Sequence, residues 1–246
     1  MKMTNRWLMM IMVMVFIVQP CFSQTKEKID QANAKGKVVF LAVTNGNVKL
    51  NEVRKVAQSA QKKFPASEVI TFDKSDKSNA ALVTKYGLLG APVPIILVIA
   101  PNGAVGGGFT LDKATPESLV KLIPTKKQAT ALLAFSEGKA AFIVLSKKSM
   151  KDKTPAVAEC KKALSAIGGR GVIIDLDLGD KTESKFVDLL DPDMSATSSH
   201  IMVFNGKGQF TGEFSAPVQS KDLVASSKKV VSSCCPSGSG AGCGKK

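Results

Sequence analysis

The chain has 246 residues but only five cysteines, one histidine, one tryptophan and one tyrosine. No cysteine lies between Phe22 and Glu159, and Cys-x-x-Cys does not occur anywhere. A thiol pair of that spacing is therefore unavailable to most of the chain. The single histidine, His200, excludes a multi-histidine metal centre, and it accompanies no Ser-His-Asp arrangement. Gly106-Gly107-Gly108 follows a hairpin strand instead of opening a helix, so it reads as a bulge or bend and not as a phosphate loop. Aromatic residues make up 6% of the chain and no recognition motif appears, which argues against nucleic acid as a partner. Like charges never run to five in a row, although the net charge is +14. The lysines sit between apolar positions, as on a solvated surface, and the excess also suits an anionic envelope surface.

Only the first segment carries a long apolar run. Lys2 and Arg6 precede Trp7 to Val18, Pro20 ends the run, and Cys21-Phe22-Ser23 offers small residues for cleavage after Ser23. Residues 1–23 read as a secretory signal peptide. The run is short of the roughly 20 residues that span a bilayer. An uncleaved anchor is the alternative, and a lipid-modified Cys21 is a lesser one that Pro20 fits badly. The expected location is periplasmic or secreted. Loss of Lys2 and Arg6 would lower the charge from +14 to +12.

The remainder contains an internal repeat. Gly36-Lys37-Val38-Val39-Phe40-Leu41-Ala42-Val43-Thr44 aligns with Gly138-Lys139-Ala140-Ala141-Phe142-Ile143-Val144-Leu145-Ser146 at an offset of 102. Val69 to Asp73 follows at the same offset, and later segments drift by two or three residues, as loop insertions would produce. Each copy reads as β-α-β-α-β-β-α after a helical lead-in. Unbroken apolar first strands suit burial on both faces, and Pro101-Asn102-Gly103 and Asn205-Gly206-Lys207-Gly208 mark hairpin turns. The expected helices are Leu50 to Phe64, Asn79 to Tyr86 and Pro116 to Leu122, then Pro155 to Ile167, Ser184 to Leu190 and Lys221 to Ser227. The expected divisions are residues 24–124, residues 125–229 and a Cys/Gly/Ser tail over 230–246.

Tyr86-Gly87-Leu88-Leu89-Gly90-Ala91-Pro92, followed by the apolar stretch Ile95 to Ala100 and a Gly-containing turn, resembles the thioredoxin-like superfamily. The resemblance implies an α/β fold of two tandem thioredoxin-like domains with mixed sheets. It also implies a cis-proline, for which Pro92 is the candidate, with a groove at Ala91, Pro92 and Val93 for a protein or extended-peptide partner. Thioredoxin-like enzymes carry Cys-x-x-Cys after the first strand; here that place holds Thr44-Asn45-Gly46-Asn47-Val48, and Lys147-Lys148-Ser149-Met150 in the second copy. The second copy also has Thr197-Ser198-Ser199 where the first has Pro92-Val93-Pro94.

Chemistry, if present, is expected in the tail, where Cys234, Cys235 and Cys243 cluster among serines and glycines. Three thiolates there suit copper or zinc, a redox pair, or a structural disulfide. Cys160 reads as a packed helical thiol, with pairing to the tail as the alternative. His200 reads as a polar strand entry or, alternatively, a metal ligand beside the tail. The leading expectation is an exported, non-catalytic binding or scaffold protein. The alternatives are a thiol-disulfide oxidoreductase or redox chaperone and a soft-metal carrier, both working through the tail.

Overall fold

Val38–Thr44 (β1) and Ala140–Ser146 (β5) are buried at every residue, as unbroken apolar strands require. The computed structural model describes residues 24–231. The proposed signal peptide, Cys21, and the tail cysteines Cys234, Cys235 and Cys243 lie outside those residues.

The first half runs α1 (Gln24–Ala34), β1, α2 (Leu50–Lys63), β2 (Ser67–Asp73), α3 (Ala80–Lys85), β3 (Ile95–Ile99), β4 (Val105–Thr110) and α4 (Pro116–Lys121). The second repeats it as α5 (Lys126–Ser136), β5, α6 (Lys153–Ala166), β6 (Gly171–Asp177), α7 (Ser184–Leu190), β7 (His200–Phe204), β8 (Phe210–Ser215) and α8 (Ser220–Lys228). Each half builds one four-stranded sheet, ordered β2-β1-β3-β4 and β6-β5-β7-β8. The first two strands pair in parallel; the last two join antiparallel. This mixed, helix-covered α/β architecture is that of two thioredoxin-like domains in tandem.

The alternation of side chains along a strand divides each core in two. Val39, Leu41 and Val43 face α1 and α3 with Ile29, Phe72 and Leu82, whereas Phe40 and Ala42 face α2 with Val53, Ala57 and Leu119. The second domain repeats the division, with Ile143 and Leu145 on one face and Phe142 and Val144 on the other. The expected elements are found with small shifts at their ends. α6 starts at Lys153, two residues before Pro155, and the expected Asn79 helix begins as a tight turn over Lys77–Asn79. Gly106-Gly107-Gly108 lies within β4, where a bulge shifts the register at Val98/Ile99. A Cβ on Gly106 would stand 2.4 Å from the Leu122 carbonyl oxygen, so the glycine lets α4 close onto the strand.

One expectation is corrected. The cis bond of the first domain is Val93–Pro94, not the bond before Pro92. Pro94 is the residue that abuts the sheet: Ile95 begins β3, and the Pro94 carbonyl accepts from the Leu111 N–H at 3.0 Å. Pro92 is exposed and takes no place in the ladder. A second cis bond, Ala216–Pro217, follows β8.

The domains meet where the β3–β4 turn touches α5. Ala100 and Ala104 pack on Ala129, with Leu132 and Leu133 against them, and Asn102 Nδ2 donates to the Ala129 carbonyl at 2.8 Å. The Lys185 ammonium, on α7, donates to the carbonyls of Lys121, the last residue of α4, and Ile123 just beyond it. A capping box, Thr125 with Gln128, starts α5 directly after that segment.

The turn before α7 carries an incompletely paired carboxyl group. Glu183 is 3% exposed; its Oε1 accepts from the Lys127 N–H at 3.0 Å, and its Oε2 has no partner among the described residues. The corresponding residue of the first domain, Asn79, is an amide whose Nδ2 donates to the Asp73 carbonyl at 2.9 Å. Glu183→Gln keeps the acceptor and replaces the unpartnered oxygen with a donor, so the chain should gain about 1 kcal/mol in urea unfolding. A loss of stability would show that the carboxylate is satisfied in some other way.

Candidate functional site

In the thioredoxin-like architecture, the loop after the first strand faces the loop before the third. In the first domain these are residues 45–49 and 92–94. Asp73, at the end of β2, holds the first loop: its Oδ1 accepts from the Gly46 N–H at 2.9 Å and from Ser75 N–H and Oγ. The Ser75 hydroxyl, followed by the Gly46 amide, lowers the Asp73 carboxyl below its ordinary value. Gly46 has φ +63°, a conformation that costs glycine little. Lys49 is also left-handed, at φ 53°, and its side chain does not cap α2.

A cleft of about 370 Å³ opens between these loops, lined by Lys49, Glu52, Pro92, Val93, Pro94 and Asp112 among others. The Thr110 hydroxyl, with smaller help from Lys113 and Lys49, lowers the exposed Asp112 carboxyl. The second loop is pinned from behind, where Lys74 Nζ donates to the carbonyls of Leu89 at 2.9 Å and Ala91 at 3.4 Å. Of the three expected groove residues, Pro92 and Val93 line the cleft; Val93 also packs against the α1/α3 core, and Ala91 packs there without reaching the cleft. Val93 presents its backbone unpaired beside that cleft. Its N–H and C=O make no hydrogen bond among the described residues, and neither flanking proline can donate.

The second domain treats the same place differently. Ser199 replaces Pro94 and therefore has an N–H. That N–H donates to Asp152 at 3.0 Å and 3.2 Å, and the Ser199 hydroxyl donates to Asp152 Oδ1 at 2.8 Å. Asp152 is the residue before α6, counterpart of Lys49. Lys147 Nζ adds a bond to the Met194 carbonyl at 2.6 Å. The loop that replaces Cys-x-x-Cys thus holds the facing loop with both its ends, and the cleft is tied shut. The signal in the sequence was the exchange of Pro94 for Ser199; Asp152 gave none, because the helix was expected to start at Pro155 and not at Lys153. Lys49, Glu52 and Asp112 carried no such signal.

Cys160 does not join either cleft. It is fully buried in α6 against Phe142, Val144, Ile201 and Leu223, and it is a free thiol. Burial, and then the adjacent Glu159, pushes its pKa up to about 12. A thiol so placed stays protonated at neutral pH. His200 lies in β7 with Nδ1 3.3 Å from Glu213 Oε1 and 3.4 Å from Ser215 Oγ. Among the described residues, no three His, Cys, Asp or Glu side chains converge as a metal site, and no helix is long and apolar enough to cross a membrane.

The chain thus folds as two tandem domains of thioredoxin-like architecture, one with an open, cysteine-free cleft and one in which the facing loops are tied together. Among solved structures, it is similar to the NTD_N/C domain of the alkylhydroperoxide reductase AhpF from Enterococcus faecalis (13% identity, 81% of this chain and 96% of that one, TM-score 0.28). It is also similar to the first two thioredoxin domains of Eps1p from Naumovozyma dairenensis (9%, 84% and 95%, TM-score 0.32) and from Saccharomyces cerevisiae (9%, 84% and 96%, TM-score 0.29). No protein-family model and no curated protein matches the chain.

Two outcomes follow. Asp152→Ala leaves the fully buried Ser199 N–H without an acceptor, so the chain should lose about 1–3 kcal/mol by chemical denaturation; an unchanged midpoint would mean that the tie is not made in solution. Native Cys160 should resist iodoacetamide at pH 9 and react once the chain is unfolded in urea, read by peptide mass. Above the ordinary thiol value of 9.0 the unfolded chain loses this proton and the folded chain does not. The Tyr86 phenol, raised by burial and then by Asp30 from 10.0 to about 12, acts the same way. Both contributions are fully present below pH 9, and stability should fall as pH rises from about 9 to about 12.

Proposed function

We propose that this is an exported, non-catalytic thioredoxin-like binding protein whose first domain holds an extended peptide against Val93. The observation that carries the reading is the Val93 backbone pair, unpaired among the described residues and fixed between Pro92 and Pro94 at the mouth of a cleft. An extended segment laid antiparallel to Val93 gains two main-chain hydrogen bonds, with side-chain selection by Lys49, Glu52 and Asp112 at the rim. The mixed charge of that rim favours a polar segment. The absence of a cysteine from both loops supports holding in preference to thiol exchange. Export rests on the amino-terminal signal in the sequence.

The test is a randomised decapeptide array, followed by amide NMR of the full chain with the best binder. Val93 and Thr110 amides should shift, and N-methylating the peptide's central residue should weaken binding at least tenfold. Binding that leaves Val93 unmoved would overturn the reading. Insulin reduction by the intact chain should not exceed that by a chain ending at Val231; a faster intact chain would place the activity on the tail thiols instead.

A further inference from the structure

The two copies differ most at the end of their third helix, and the difference leaves an apolar groove open. In the first domain, Gly87 turns left-handed after α3 at φ 63°, and the Leu88 N–H donates back to the Val83 carbonyl at 2.8 Å. This closed turn drives Leu88 into the core, where it is 1% exposed beside Ile29, Leu41, Leu82, Leu97 and Ile99. In the second domain Asp191 makes the same left-handed turn at φ 47°, but the next residue is Pro192. Proline has no N–H and cannot make the second bond, so the chain leaves without inserting a side chain. The counterparts of the Leu88 neighbours are Ala131, Ile143, Phe186, Met202 and Phe204, and all of them line a groove of about 480 Å³. Ala131 where the first domain has Ile29 enlarges it further. Leu189 and Phe210 stand at its lip, 66% and 50% exposed.

We propose that this groove, between α5, α7 and the β7–β8 hairpin, docks a partner-protein segment that inserts a leucine-type side chain with a basic residue close by in sequence. The first domain shows the occupant's chemistry, since its own Leu88 fills the corresponding place. The polar groups lining the groove, Asp191, Glu213 and Gln128, include two acids and no base in a chain of net charge +14, so a cationic neighbour is complementary. The groove is continuous with the contact between the domains, because Leu132 belongs to both. It is a different surface from the Val93 cleft, and either site can fail without the other.

The probe is the peptide Thr-Lys-Tyr-Gly-Leu-Leu-Gly-Ala, which copies residues 84–91 and carries both the leucine and a lysine. Added to the full chain, it should shift the Met202 methyl and the amides of Leu189 and Phe210, leaving Val93 unmoved. A peptide with alanine in place of the first leucine should bind at least tenfold more weakly. Leu189→Lys, which restores the residue the first domain has at Lys85, is exposed and leaves the fold intact; it should weaken binding at least tenfold. Ala131→Ile should do the same by filling the groove from within. No binding, binding indifferent to Leu189→Lys, or occupation by decanoate and not by the peptide would overturn the proposal. So would self-association of the chain that Leu189→Lys abolishes, since the occupant would then be a second copy.

Discussion

Complete burial of β1 and β5 is the constraint from which the rest of the molecule follows. A strand with no exposed residue needs apolar cover on both faces and a hydrogen-bonded neighbour on both edges. Parallel β2 and antiparallel β3 supply the edges of β1, and α1 with α3, opposite α2 with α4, supply the faces. Covering both faces in this way draws on apolar residues of every helix. The loops at the strand ends are freer to vary, and the two copies do differ there.

At those ends, the presence or absence of one backbone N–H decides the outcome twice. Pro94 has none, so the loop before β3 recruits no acceptor from the facing loop and the first cleft stays open. Ser199 has one, and being fully buried it must be satisfied; Asp152 does so and closes the second cleft. At the helix ends the exchange runs the other way. Leu88 has an N–H that closes its turn and buries its side chain, while Pro192 has none and leaves a groove. Each domain therefore keeps one recess and fills the other, by the same donor logic applied at different positions.

The repeat, the burial of the first strands and the order of elements could be read from the sequence, because apolar periodicity and an offset near 102 survive loop insertions. The cleft was legible only in part. Pro92 stood out by its place in a Gly-x-Pro segment, yet the sheet begins after Pro94, and which of two prolines abuts a strand depends on register. The tie between Asp152 and Ser199 spans 47 residues and consists of hydrogen bonds, which leave no periodic trace. The domain-two groove was invisible because its apolar lining residues look like ordinary core residues. It exists through what is missing, the side chain that Leu88 provides in the other copy.

Burying a leucine side chain is worth roughly 1.5–3 kcal/mol. Leaving the groove unfilled, with Leu189 and Phe210 at its lip, forgoes about that much in a domain whose total margin is on the order of 5–15 kcal/mol. Nothing in the surrounding packing requires the loss, since the first domain fills the same place on the same framework. Sequences generally agree with their fold at every level, and departures of this size concentrate where another constraint acts on the site. The unfilled groove and the unpaired Val93 are departures of this kind among the described residues. They lie on different domains, with α5 of the second packed against the first through Ala129 and Leu132. A chain that holds two partners, or two segments of one partner, at fixed separation would be built this way.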